Sequence, residues 1–150
     1  MKENFQIVPA GNALIWFSVG LGVFLLALLL LFVYIACSSR HVRCEVSGTQ
    51  LRISGTLYGR SVPLDDLLPD RGRVLDLYRD REFELRWRTN GIGMPGYNAG
   101  WFKLRNKEKA LVFVTDKRRI LYLPTRQGYA LLLSLEHPHE LLESVRRLRS

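Results

Sequence analysis

Charge is missing from one long stretch of this sequence, and cysteine and histidine are scarce throughout it. The two cysteines, Cys37 and Cys44, make neither a disulfide framework nor a metal-ligand spacing and are expected to be inert thiols. The three histidines, His41, His137 and His139, stand at no ligand spacing with Asp65, Asp66, Asp70, Asp76 or Asp80. No Ser-His-Asp order and no Cys-His pair comes with a supporting motif. No catalytic residue, metal or cofactor is therefore expected. Four glycines between Gly91 and Gly100 suggest a phosphate cradle, but such cradles open into a helix N-terminus and this one opens into the strand-like Trp101 to Arg105. The glycines are expected instead to supply positive φ values and a sharp bend between strands.

The stretch without charge runs from Ala13 to Cys37. As a helix it would extend about 37 Å, against roughly 30 Å of hydrocarbon in a bilayer, so it can cross with some tilt. Trp16 and Tyr34 bracket it where amphipathic rings settle at the headgroup level, and Leu25 and Leu29 lie in its middle, so these four are expected as anchor positions. A lipoprotein reading of Tyr34-Ile35-Ala36-Cys37 fails, because the apolar stretch is too long for a signal h-region and the basic residues follow it. Lys2 and Glu3 precede the stretch, whereas Arg40, His41 and Arg43 follow it. The positive-inside rule then places the C-terminal flank in the cytoplasm of a bacterial-type inner membrane. The expected organisation is a short N-terminal segment (1–12), a transmembrane helix (13–37) and one compact domain (41–150).

The whole formal charge of +8 lies after the apolar stretch, since Lys2 and Glu3 cancel. Helical periodicity disappears after Arg43, and short strand-like segments recur about every ten residues between Gly, Asn, Asp and Pro signals. Val42 to Val46, Leu51 to Ser54 and Tyr58 to Leu64 are expected to form a meander. Val74 to Tyr78 follows, then Glu82 to Thr89, whose alternation points Phe83, Leu85 and Trp87 inward and Glu82, Glu84, Arg86 and Arg88 outward. Trp101 to Arg105, Ala110 to Thr115, Ile120 to Leu123 and Tyr129 to Leu133 bring the count to about nine strands, the spacing of a sandwich or barrel. Leu141, Leu142, Val145 and Leu148 then fall at helical spacing, with Pro138 in the first turn, Glu140 and Glu143 early, and Arg146, Arg147 and Arg149 late. The chain is expected to be mainly β, closed by an amphipathic helix that needs a sheet to cover.

Three segments carry a resemblance to a known family. They are Tyr58-Gly59-Arg60-Ser61-Val62-Pro63-Leu64 with Asp65-Asp66-Leu67; Gly91-Ile92-Gly93-Met94-Pro95-Gly96-Tyr97 with Ala99-Gly100-Trp101-Phe102; and Gly128-Tyr129-Ala130-Leu131-Leu132-Leu133-Ser134 leading into Pro138. Over nearly all of residues 42 to 149 the chain resembles the bacterial pleckstrin-homology (PH) domain proteins with a single N-terminal membrane helix. The resemblance implies a PH-like barrel or sandwich of two nearly orthogonal sheets, with the final helix plugging one end. Eukaryotic members bind phosphoinositides through basic residues of the first strand-to-strand loop; here that loop, Ser47-Gly48-Thr49-Gln50, has no Lys or Arg, so that pocket is not implied. Fold likeness alone does not assign function.

Two functional expectations follow, neither of them enzymatic. In the first, the domain is a protein-interaction or assembly adaptor that binds other membrane proteins or copies of itself through a sheet edge or the glycine-rich loop, with Gly93, Met94, Pro95 and Tyr97 as contacts. In the second, it senses the membrane lipids, with Arg40, Arg43, Lys107, Lys117, Arg118 and Arg119 facing anionic headgroups from one basic rim. Nucleic acid is not an expected partner, because Tyr97 and Trp101 sit at strand positions where aromatics pack a core, and no small-molecule substrate is expected of a domain without a catalytic motif and too short for an enclosed cavity with a lid.

Overall fold

The computed structural model describes residues 8–9, 11–38 and 42–150, and the chain divides into two compact units between Ser38 and Ser39. The first holds one helix, α1 (Ala13–Ser38). Leu and Ala give its interior strong helix formers, and no charged or polar stripe interrupts it. From Ala13 to Cys37 every side chain is exposed except half-buried Ile35, with Trp16 73 %, Tyr34 71 %, Leu25 57 % and Leu29 58 % open. A core helix buries such a surface; this one buries none of it, and it is long and apolar enough to cross a membrane.

The second unit is mainly β, with two sheets and a closing helix. Strands β1 (Arg43–Ser47), β2 (Gln50–Ser54) and β3 (Ser61–Pro63) form an antiparallel meander. The remaining strands are β4 (Arg73–Leu75), β5 (Leu85–Met94), β6 (Tyr97–Leu104), β7 (Lys109–Val114), β8 (Ile120–Pro124) and β9 (Tyr129–Ser134). They form one sheet in the order β4-β8-β9-β7-β6-β5. All its pairings are antiparallel except β7 with β9. Helix α2 (Pro138–Arg149) closes the chain.

The larger sheet is buried on both faces along β7, β8 and β9. On one, Leu111, Phe113, Leu121, Leu123, Leu131 and Leu133 pack against Leu51, Ile53 and Val62 of the small sheet and Leu142 and Val145 of α2. On the other, Val112, Val114, Ile120, Tyr122 and Leu132 pack with Leu75 of β4 and are covered by Leu77 and Phe83 from the β4–β5 connection. Double burial explains why β7, β8 and β9 read as nearly continuous apolar runs instead of alternating ones. The side chain of Arg146 donates to the Pro69 carbonyl at 3.2 Å, and that of Arg149 donates to the Leu67 carbonyl. The last turn of α2 is thereby fixed to the strand connection beneath it.

Three sequence expectations are corrected. The segment Tyr58 to Leu64 pairs only over Ser61–Pro63, because Gly55 at φ 90° and a turn bond from Gly59 N–H to the Thr56 carbonyl occupy its start. Val74 to Tyr78 stops as a strand at Leu75: the Asp76 carboxylate accepts from the Tyr78 amide, and the Asp80 carboxylate from the Asp76 amide, closing a turn. Glu82 to Thr89 is not one alternating strand. Phe83 is buried from a short 3-10 turn (Arg81–Phe83), and Trp87, expected inward, is 65 % exposed. Register shifts between Leu85 and Trp87 and between Arg88 and Asn90 leave Arg86 and Thr89 without a register partner on β6, although the Thr89 hydroxyl donates to the Trp101 carbonyl at 3.0 Å. A bulge inserts one residue and breaks the two-residue alternation on which that expectation relied.

Candidate functional site

The glycine-rich stretch is not a loop. It is the distal half of a β-hairpin in which β5 and β6 pair through Met94 and Tyr97 across a Pro95-Gly96 turn, with Gly96 at φ 79°. Gly91 and Gly100 stand directly opposite each other, and Gly100 has φ 113°. A Cβ on Gly100 would lie 2.5 Å from the Gly91 Cα, and one on Gly91 would lie 2.5 Å from the Ala99 carbonyl oxygen. Two strands approach here more closely than side chains permit, which is why both positions are glycine. Of the four expected contacts, Gly93 and Pro95 are exposed and Met94 is half-buried. Tyr97 is also half-buried, packing against the core between the sheets, and burial raises its phenol above the ordinary tyrosine value.

Strand β5 is an edge strand: β6 pairs with one side of it, and no strand among the described residues pairs with the other. It is ten residues long, while β4 at the opposite edge has three and the small sheet's edges, β1 and β3, have five and three. Every residue along it is half-buried or exposed. This is the longest row of backbone donors and acceptors left open to an incoming strand.

The basic positions do not form one rim. Register places the β5–β6 tip beside Val114, the β7–β8 loop with Lys117, Arg118 and Arg119, and the end of β9 at Ser134. A cleft of about 470 Å³ lined by Val42, Cys44, Gly96, Tyr97, Thr115 and Ser134 puts the start of β1, and so Arg43, at this same end. Lys107, in the β6–β7 turn at φ 71°, lies at the far end of β7. Arg40 lies outside the described residues, as does His41. Arg43, Lys107, Lys117, Arg118 and Arg119 are all exposed.

Three cations stand over aromatic rings, an arrangement that the sequence pattern does not announce. Arg60 lies 5.9 Å from the ring centres of both Trp101 and Tyr129, which meet edge to face at 5.1 Å, and Lys109 lies 4.6 Å from Trp101. Arg73 lies 4.9 Å from Phe83. Each partner comes from a different strand or turn, so no local spacing could have found these pairs.

Three acidic residues, Asp66, Asp116 and Glu108, are held in structural roles. Asp66 accepts from the Gln127 side-chain amide at 2.6 Å, and Asp116 accepts from the Arg118 amide at 2.9 Å. Both oxygens of Glu108 accept from the Tyr122 hydroxyl, at 2.9 and 3.0 Å. Burial first, then the hydrogen bond and negative charge of Glu108, push the Tyr122 phenol up to about 12. Burial pushes the Cys44 thiol up to about 11, the opposite of an activated nucleophile. His137 and His139 are exposed at the start of α2. Among the described residues no three His, Cys, Asp or Glu side chains gather where they would hold a metal ion.

A family model described as Bacterial PH domain matches residues 42–149. No curated protein and no solved structure matches the chain.

Proposed function

Because the chain belongs to the bacterial PH domain family, whose fold serves as a non-catalytic interaction module, we propose that it is a membrane-tethered adaptor whose module binds proteins at the cytoplasmic face of the inner membrane. The observation that carries this reading is the open ten-residue edge of β5 running into a tip where Gly93 and Pro95 are exposed and Met94 is half-buried. An extended segment of another membrane protein, or of a second copy, would add to the sheet there by main-chain hydrogen bonds. Residues 39–41 are the whole connection between α1 and Val42, so with α1 inserted, partners are restricted to those at or in the bilayer. The two bulges and the charges of Arg86 and Arg88 keep the edge from pairing indiscriminately. A photo-reactive residue at Asn90 or Met94 of the full chain in cells is expected to give discrete adducts, and the same residue at Gln127 none. Identical patterns at all three positions would reject edge pairing.

A second reading is favoured by Arg43, Lys117, Arg118 and Arg119, which share the end of the module where the chain arrives from α1. Each is worth up to about 1 kcal/mol against an anionic leaflet, enough together to orient the module on it. Charge reversal of Lys117, Arg118 and Arg119 is expected to abolish salt-sensitive attraction to anionic bilayers. Unchanged attraction would reject this reading.

A further inference from the structure

We propose that a cleft on the outer face of the β5–β6 hairpin is a binding site for a phosphate-bearing anion. The cleft has a volume of about 540 Å³, within the range of small-ligand sites, and lies between the β4–β5 connection and the hairpin. Arg81, Arg86, Arg88 and Lys117 line it, above an apolar floor that includes Leu77 and Phe102. They come from four separate places: the 3-10 turn, the first bulge, the strand beyond it and the β7–β8 loop.

Four cations converge there and one carboxylate, Glu84, joins them. Glu84 is shared with Arg105, 3.7 Å away and outside the cleft. None of the four cations makes an ion pair among the described residues. Like charges gathered over an apolar floor repel one another, and an anion relieves that repulsion. Three of the four are arginines, whose planar forks match phosphate oxygens in pairs. The bulge explains the convergence, since it inserts Arg86 as an extra residue and turns the strand there. Gly93 leaves the near wall open: a Cβ there would stand 3.7 Å from Arg88 Nη1 and 3.4 Å from Asn98 Oδ1. The site is remote from the first strand-to-strand loop, Ser47 to Gln50, and shares with the lipid-facing reading above only Lys117, which the double variants below leave in place.

A phosphodiester headgroup of an anionic lipid and a free phosphorylated solute share this chemistry. The test titrates the purified full chain in neutral detergent with inorganic pyrophosphate by calorimetry, then repeats it in nanodiscs of phosphatidylcholine with and without phosphatidylglycerol. Saturable binding is expected, weakened about 100-fold by Arg86→Gln with Arg88→Gln, about tenfold for each charge-assisted hydrogen-bonding group removed. Arg52→Gln with Arg147→Gln removes the same charge from exposed positions outside the cleft and is expected to change affinity less than about twofold. Equal thermal melting of the two double variants establishes that both are folded. Pyrophosphate binding suppressed by phosphatidylglycerol assigns the site to a lipid headgroup, and binding indifferent to it assigns a soluble phosphate. Absence of saturable binding to both probes, or equal weakening in the two double variants, overturns the proposal.

Discussion

Replacing Gly100 by alanine tests the hairpin that forms the open edge. At φ 113° an alanine pays the left-handed penalty of about 1–2 kcal/mol. Its Cβ would also sit 2.5 Å from the Gly91 Cα and 2.6 Å from the Asn90 carbonyl oxygen. Both are backbone atoms of the paired strand, so relief requires β5 and β6 to separate, and overpacking of this kind costs about 1–3 kcal/mol. The expected destabilisation is therefore about 2–5 kcal/mol, a large share of the roughly 5–15 kcal/mol of an ordinary domain. Urea unfolding of the full chain in micelles, followed by tryptophan fluorescence, measures it. Gly48→Ala is the control, because nothing lies within 4 Å of a Cβ there, and it is expected to change stability by less than about 0.5 kcal/mol. Equal midpoints for Gly100→Ala and Gly48→Ala would refute the close approach of Gly91 and Gly100.

Leu142→Ala removes the buried side chain by which α2 meets Gly72 and Leu123 and is expected to cost about 2–5 kcal/mol in the same assay. Tyr122→Phe, which deletes the hydroxyl bonded to Glu108, is expected to cost about 1–2 kcal/mol, the part-buried carboxylate recovering some of its hydrogen bonding through water. Cys44, held up to about 11 from 9.0, is expected to be alkylated about 100-fold more slowly at pH 8 in the folded than in the unfolded chain, as mass spectrometry would follow. Between pH 9 and about 11 the folded chain keeps that proton while the unfolded chain releases it, so the thiol's contribution makes stability fall as pH rises through this window; Cys44→Ala is expected to remove that part of the slope.

The segments that face two covered surfaces were the easiest to read from sequence. Residues 110–115, 120–123 and 129–133 are apolar runs bounded by turn signals, and each is a strand within a residue or two of its expected ends. Helix α2 was equally legible, because Leu142 and Val145 occupy one stripe and both are buried. Alternation failed at Trp87 because a bulge has no signature in residue type: the extra residue, Arg86, is as polar as Glu84 and Arg88, the positions two away on either side, so it reads as an ordinary outward residue. The glycines at 91 and 100 signalled bending, but only pairing reveals that they face each other across a continuous hairpin. Parallel pairing of β7 with β9 was likewise illegible, since local pattern carries no partner identity. The basic residues illustrate the same limit. Lys107 and Lys117 are near in sequence, but β7 runs between them and carries them to opposite ends.

Insertion of α1 with the module on the cytoplasmic side is the premise of the proposed function, and protease access to a C-terminal tag on the full chain measures it directly. The tag is predicted to stay protected in sealed spheroplasts, to be digested in inverted inner-membrane vesicles, and to remain in the membrane pellet through alkaline carbonate. Digestion in intact spheroplasts, or release of the chain into the aqueous supernatant, would contradict the account.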